Sequence, residues 1–241
     1  MRKSFLLIAV MMLWTPPLLK AGETPEPFEK ASGVVLLHGL ARSASSFKNM
    51  EAFLNKRGYP TLNIDYPSTD YSIETLCRDH VAPKIRTFQR QAGGPLAYVT
   101  HSMGGILLRY MVKEGLVDDP FRAVMLGPPN QGSEVVDKLG NLWLFSFING
   151  PAGSQMGTET PSMPLSLGPA TFEVGVIAGT RTINFLLSAM IPGTDDGKVS
   201  VARARLEGMA DFKTIPATHP FIMKNKKAMA LTLTFLETGS F

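Results

Sequence analysis

A mostly parallel β-sheet covered by helices on both faces is the architecture expected of this 241-residue chain. Two patterns carry that expectation. Short, unbroken apolar runs recur along the sequence, as strands buried on both faces require. Between them lie segments whose apolar residues repeat at helical spacing. The alternation runs from residue 31 to residue 241 and describes a single α/β domain, large enough to close one core.

The elements follow in order. Residues 22–30 are a polar, proline-rich leader, ordered only at its end. Gly33-Val34-Val35-Leu36-Leu37 reads as a central strand. Phe47, Met50, Phe53 and Leu54 mark a helix over 47–56, which Gly58 stops. Thr61–Ile64 is a short strand closed by Asp65-Tyr66-Pro67. Ile73, Leu76, His80, Ile85 and Phe88 share one long helical face, with a kink expected at Pro83. Leu96–Val99 is the next buried strand and 106–112 the helix after it. Ala123–Leu126, Val174–Ala178 and Phe212–Pro216 are further strands, and Ala228–Leu236 is the closing helix.

One segment breaks the alternation. Between 141 and 170 the chain carries Trp143, Leu144, Phe145, Phe147 and Ile148, then a stretch rich in Gly, Pro, Ser and Met. A long irregular segment inside a compact domain is usually functional. It reads either as a small cap or lid with a Gly-Pro hinge, or as an extra helix on the core.

Composition narrows the function. At 44% hydrophobic and 18% charged residues, the chain is globular rather than disordered. The net charge of +4 is concentrated at the start, because Arg2, Lys3 and Lys20 fall within the first 21 residues, which hold no acid. The remainder has 21 bases against 20 acids, and such a body has no electrostatic footprint for nucleic acid. Arg2-Lys3, the apolar run from Phe5 to Leu13 and Leu19-Lys20-Ala21 read as a removable export signal over 1–21, placing the mature protein in the periplasm or outside the cell. The alternative is an uncleaved membrane anchor. That run is shorter than the ~20 residues a spanning helix needs, and Pro16-Pro17 follow it. The single cysteine, Cys77, excludes an intramolecular disulfide and reads as a small core residue.

The chemistry sits just beyond the strands. His38-Gly39-Leu40 follows the first, Thr100-His101-Ser102-Met103-Gly104 the third, Asp195-Asp196 the fifth and His219 the last. A serine on a strand-to-helix turn, followed in chain order by an acid and a histidine, is the arrangement of a serine acyl-transfer site. A serine hydroxyl needs a base beside it and a turn that exposes it. No pair of the four histidines has metal-ligand spacing, and neither a Gly-x-Gly-x-x-Gly nor a phosphate-binding loop is present, so no metal and no cofactor is expected.

On these segments, together with Pro129-Asn130-Gln131-Gly132-Ser133 and Asp196-Gly197-Lys198-Val199, the chain resembles the α/β-hydrolase superfamily, in particular its lipase and esterase branch with the triacylglycerol lipases and inositol-deacylase-like proteins. The resemblance covers nearly everything after residue 30 and implies an α/β-hydrolase fold with a small cap insertion. It implies Ser102 as nucleophile, His219 as general base and Asp196 as orienting acid, three residues before Val199, leaving Asp195 as a solvated turn residue or cap. It also implies an oxyanion hole made by the backbone N–H groups of Leu40 and Met103. His38 then supports the oxyanion loop, His101 packs behind the serine turn, and His80 is an ordinary half-buried side chain. The family pattern has glycine where this chain has Thr100. Ser133 is placed to cap the helix beginning at Glu134. Arg42 is either a solvated loop residue or a contact for a substrate carboxylate or phosphate.

The reaction implied is hydrolysis of acyl esters, with a small-molecule or lipid ester as partner and, for a lipid, peripheral contact with a membrane surface. Two alternatives stay open: an acyltransferase on the same fold, and a non-catalytic protein that binds lipid or a protein partner.

Overall fold

The computed structural model describes residues 30–139, 150–159 and 161–241. Six strands, β1 (Gly33–Leu37), β2 (Thr61–Ile64), β3 (Leu96–His101), β4 (Ala123–Leu126), β5 (Val174–Gly179) and β6 (Asp211–Ile215), form one sheet in the order β2-β1-β3-β4-β5-β6. Every pairing is parallel. Among the described residues the main helices are α1 (Lys48–Asn55), α2 (Ala82–Ala92), α3 (Met103–Lys113), α4 (Glu134–Leu139) and α5 (Lys226–Thr238).

Strand periodicity sorts the core into two layers. Val35, Leu37, Leu96, Tyr98 and Val176 point to the face that also holds Ile85 of α2 and Ile106 and Leu107 of α3. Val34, Leu36, Ala97, Val99 and Ile177 point to the other, with Met50 and Leu54 of α1 and Ala228 and Phe235 of α5. Successive side chains of a strand face opposite ways, so the unbroken apolar runs are what a sheet covered twice demands.

Helix signals read well in the centre and poorly at the ends. α3 begins directly after Ser102, three residues before its expected start. The kink expected at Pro83 takes the form of a wide π turn over Leu76–Val81, ahead of α2. Proline lacks the N–H that would bond to the carbonyl four residues back, and widening one turn lets the long helical segment pass that gap. The Asn225 side chain caps α5 by accepting from the N–H groups of Lys227 and Ala228. A short helix at Val201–Ala204, too brief to leave a periodic trace, was not foreseen.

The strand order places the site. The chain moves outward from β1 to β2, then returns to the other side of β1 for β3, so the connections leaving β1 and β3 diverge. In open α/β sheets, ligands bind in the crevice at such a reversal, outside the carboxyl ends of the strands. Leu37 pairs with Thr100 at the end of the β1–β3 register, which sets the His38-Gly39 loop beside Ser102.

α5 is held to the sheet by Phe235, whose fully buried ring lies over Gly175 of β5 and against Phe241 at 5.0 Å between ring centroids. Phe235→Ala is expected to lower unfolding free energy by about 3–5 kcal/mol in urea titrations, the cost of a lost ring and its cavity. A loss below about 1 kcal/mol would mean that α5 does not carry this half of the core.

Candidate active site

β3 ends and α3 begins with a single residue between them. Ser102 has φ +53° and ψ −125°, and apart from Ala41 it is the one non-glycine residue with positive φ among those described. Such a conformation costs on the order of 1–3 kcal/mol and persists only where the surroundings hold it. The crossing is tight: a Cβ on Gly104 would meet the Leu37 carbonyl oxygen at 2.4 Å, so a residue without a side chain is required there. Gly39 is packed similarly, with Ser102 Cβ 2.9 Å from where its own Cβ would stand. Thr100, in the place of the pattern's first glycine, is fully buried. Its hydroxyl occupies space left by Gly105, whose absent Cβ would come within 3.3 Å of it.

Ser102 does not use its side chain to cap α3. The hydroxyl instead donates to His219 Nε2 at 3.0 Å, and His219 Nδ1–H donates to Asp196 Oδ2 at 2.8 Å. The two bonds together fix the imidazole tautomer. Asp196 is 1% exposed, and its other oxygen accepts from the N–H groups of Lys198 and Val199 at 3.1 and 2.9 Å. The His219 N–H donates to the Asp196 carbonyl at 2.9 Å, so backbone and side chain both lock this pair. Gly127, at φ +54° just past β4, makes room for it: a Cβ there would lie 3.0 Å from Asp196 Oδ2 and 3.3 Å from His219 Nδ1. Nothing in the sequence pattern had singled out Gly127.

Asp195 requires a correction. It is not solvated but buried, accepting from the Ser188 hydroxyl and the Gly197 N–H at 2.7 Å each. It closes the turn that carries Asp196 and ties it to the 185–188 helical turn, both its oxygens being engaged there. Ser133 also differs from expectation, its hydroxyl donating to the Lys198 carbonyl at 3.1 Å while its own carbonyl accepts from Val136.

The remaining histidines have separate surroundings. His38 is fully buried, stacks on Tyr66 at 3.9 Å, and donates from Nδ1 to the Gly39 carbonyl at 2.9 Å. Loss of water lowers its pKa, against the opposing pull of the Gly39 carbonyl and Asp65. Tyr66 donates its hydroxyl to the His38 carbonyl, so ring and phenol together brace the loop that leads to Leu40. His101 donates from Nε2 to the His219 carbonyl at 3.0 Å. Its pKa is held well below the ordinary range by burial, then by the charges of His219 and Arg42. A neutral ring behind the serine turn follows. His80 is half-buried against Tyr71.

Leu40 lines the cleft, and its N–H makes no hydrogen bond to another described residue. Met103 is the first residue of α3, where N–H groups have no partner inside the helix. Neither expected oxyanion donor is committed to a hydrogen bond with another described residue. The cleft encloses about 290 Å³, and Val135, Val136, Leu139, Met156, Leu187 and Val199 give it an apolar wall alongside its polar side chains.

The aromatic cluster of the expected cap, Trp143 to Ile148, lies outside the described residues. The described remainder of that segment is tied down. Gln155 accepts from the Ile73 N–H and donates to the Glu74 carboxylate. Arg109, buried at 5% exposure, donates to the carbonyls of Asn130, Pro164 and Gly168. Among the described residues no three His, Cys, Asp or Glu side chains gather as a metal site, and no helix is long and apolar enough to cross a membrane.

The family model described as "Alpha/beta hydrolase family" matches residues 34–230. No curated protein matches by sequence. Among solved structures, the mature lipase BlEst2 of Bacillus licheniformis superposes at a TM-score of 0.70 with 22% identity, covering 89% of this chain and 95% of that one. Phospholipase PlaB of Legionella pneumophila superposes at 0.68 with 17% identity over 88% of this chain and 60% of its own. A monoacylglycerol lipase of Paleococcus ferrophilus gives 0.56 with 14% identity, over 88% and 97%. At these identities the likeness is one of fold.

The adjacent carboxylates offer a direct test of the geometry. Asp196→Asn is expected to lower kcat on any ester turned over by about 10⁴-fold, through the wrong imidazole tautomer. Asp195→Asn should act mainly on stability, since its oxygens hold Ser188 and Gly197. Steady-state kinetics and thermal melts of the two variants decide; a larger kcat loss for Asp195→Asn would reverse the assignment.

Proposed function

The chain belongs to the alpha/beta hydrolase family, and from that premise we propose that it is a serine ester hydrolase acting on acyl esters of lipid-like character. The observation that carries the proposal is the bonded line from Asp196 through His219 to Ser102, with the serine on a strained turn at the mouth of an apolar cleft.

In the proposed reaction Ser102 Oγ attacks the ester carbonyl while His219 Nε2 takes the hydroxyl proton. The Asp196 carboxylate stabilises the imidazolium so formed and remains unprotonated. Negative charge gathers on the former carbonyl oxygen, within reach of the Leu40 and Met103 N–H groups. Each such donor is worth roughly 10²–10³ in rate. The C–O bond to the alcohol then breaks, His219 returns the proton to the leaving oxygen, and an acyl-Ser102 remains. Water, deprotonated by His219, repeats the sequence and frees the acid.

A lipid-like acyl group is supported by the aliphatic wall and by the rim. Ile183, Phe185 and Leu186 stand 60, 78 and 73% exposed beside Leu187, which lines the cleft. An apolar rim of this kind suits substrate met at a lipid surface. Export forms part of the proposal, supported by the basic start and short apolar run of residues 1–21.

The experiment is turnover of p-nitrophenyl esters from two to twelve carbons by protein recovered from outside the cytoplasm, its N-terminus read by mass spectrometry. We expect a chain beginning near residue 22, turnover that improves with acyl length, and its loss in Ser102→Ala without a fall in melting temperature. Each methylene buried contributes about 0.8 kcal/mol, so an eight-carbon chain has several kcal/mol at stake. Wild-type protein that turns over no ester would contradict the reading.

A further inference from the structure

Two exposed cations, Arg42 and Lys198, line the cleft. Arg42 follows Leu40 by two residues on the loop after β1, and Lys198 follows Asp196 by two residues beyond β5. Both line the same cleft as Ser102 and His219, reaching it from separate parts of the sheet's carboxyl edge. Among the described residues neither side chain has a carboxylate partner or a hydrogen bond at its charged end. Among the described residues no Asp or Glu lines the cleft. Asp196, the carboxylate that acts on Lys198, is already engaged by His219 and the Lys198 and Val199 N–H groups, and Asp65, near Arg42, accepts from the Ala44 N–H.

The two charges also feel each other. Although Lys198 is exposed, partial loss of water and then the Arg42 guanidinium push its pKa down, with Asp196 opposing. Arg42 and Lys198 both act on His101 in the same sense. Like charges held together without a counter-ion repel, and an anionic occupant relieves that repulsion. The body of the protein is close to neutral, so this positive field is local to the cleft.

We propose that the cleft selects acyl esters carrying a phosphate group next to the ester, with Arg42 and Lys198 receiving the phosphate and the aliphatic wall receiving the acyl chain. The reaction class rests on the ester-hydrolase reading; the binding preference does not. A phosphate monoester carries nearly two negative charges at neutral pH and three strong acceptor oxygens, which two cations match. The planar fork of Arg42 suits two of those oxygens, and the Lys198 ammonium serves as a point charge. An anchor on the phosphate would position the ester carbonyl over Ser102, using binding energy remote from the reacting atoms.

The test separates binding from turnover. Full-length Ser102→Ala protein is titrated calorimetrically with monobutyryl glycerol phosphate, with neutral monobutyryl glycerol and with inorganic phosphate alone. We expect the phosphate ester to bind at least about tenfold more tightly than the neutral ester, with the gap narrowing as salt is raised. Arg42→Gln and Lys198→Gln should each reduce the gap by about threefold, and the pair should abolish it. Equal affinity for the two esters, or a gap that survives both substitutions, overturns the proposal. So does inorganic phosphate that binds as tightly as the phosphate ester, since the site would then serve free phosphate. Turnover of the same two esters by protein with Ser102 intact is measured separately. Preference in binding with no turnover of either sinks the hydrolase reading alone; turnover of both without preference sinks this proposal alone.

Discussion

A side-chain-bearing residue held at φ +53° between β3 and α3 is the constraint on which the site depends. The conformation lets α3 begin directly after Ser102, whose hydroxyl is left to bond His219 rather than to cap the helix. It costs free energy locally, so the neighbours must over-determine it. They do so by subtraction, since Gly104 and Gly39 lack the atoms that would collide with the β1 backbone and with Ser102 itself. Gly105 in turn leaves the space that Thr100 fills, which explains how threonine is accommodated where the family pattern has glycine.

The rest of the site is brought to that turn by the sheet. His219 arrives after β6 and Asp196 after β5, and they meet above β4 because Gly127 leaves the space open. Burial of the Asp196–His219 pair strengthens each hydrogen bond in it and would penalise either partner left alone. Asp195, next in sequence and equally acidic, serves the same arrangement differently, by fixing the turn on which Asp196 rides. Two adjacent carboxylates thus divide into one that faces the histidine and one that holds the loop.

The fold was legible because buried parallel strands leave an unmistakable trace. Val34 to Leu37, Leu96 to Val99 and Val174 to Ala178 lie in strands near the bounds their apolar runs suggest. The serine turn was legible only from Thr100 to Gly104 taken together with the strand before it and the acid and histidine after it, and Asp196 was preferred to Asp195 through the family resemblance. What stayed hidden depends on space between distant segments. Gly127 looks like any loop glycine until its neighbours are known. The burial of Asp195 depends on Ser188, and the pairing of Arg42 with Lys198 joins residues 156 positions apart in sequence. The π turn ahead of Pro83 is a change of hydrogen-bond register, which the identities of the side chains do not record.

Reaction of the purified protein with a fluorophosphonate, followed by peptide mapping, tests the central claim most directly, because the adduct reports which oxygen is nucleophilic whatever the natural substrate. The account predicts one phosphonyl group per chain, carried on the peptide containing Ser102, with labelling slowed by several orders of magnitude in His219→Ala. An adduct on another residue, or none at Ser102 in protein that turns over esters, would contradict it.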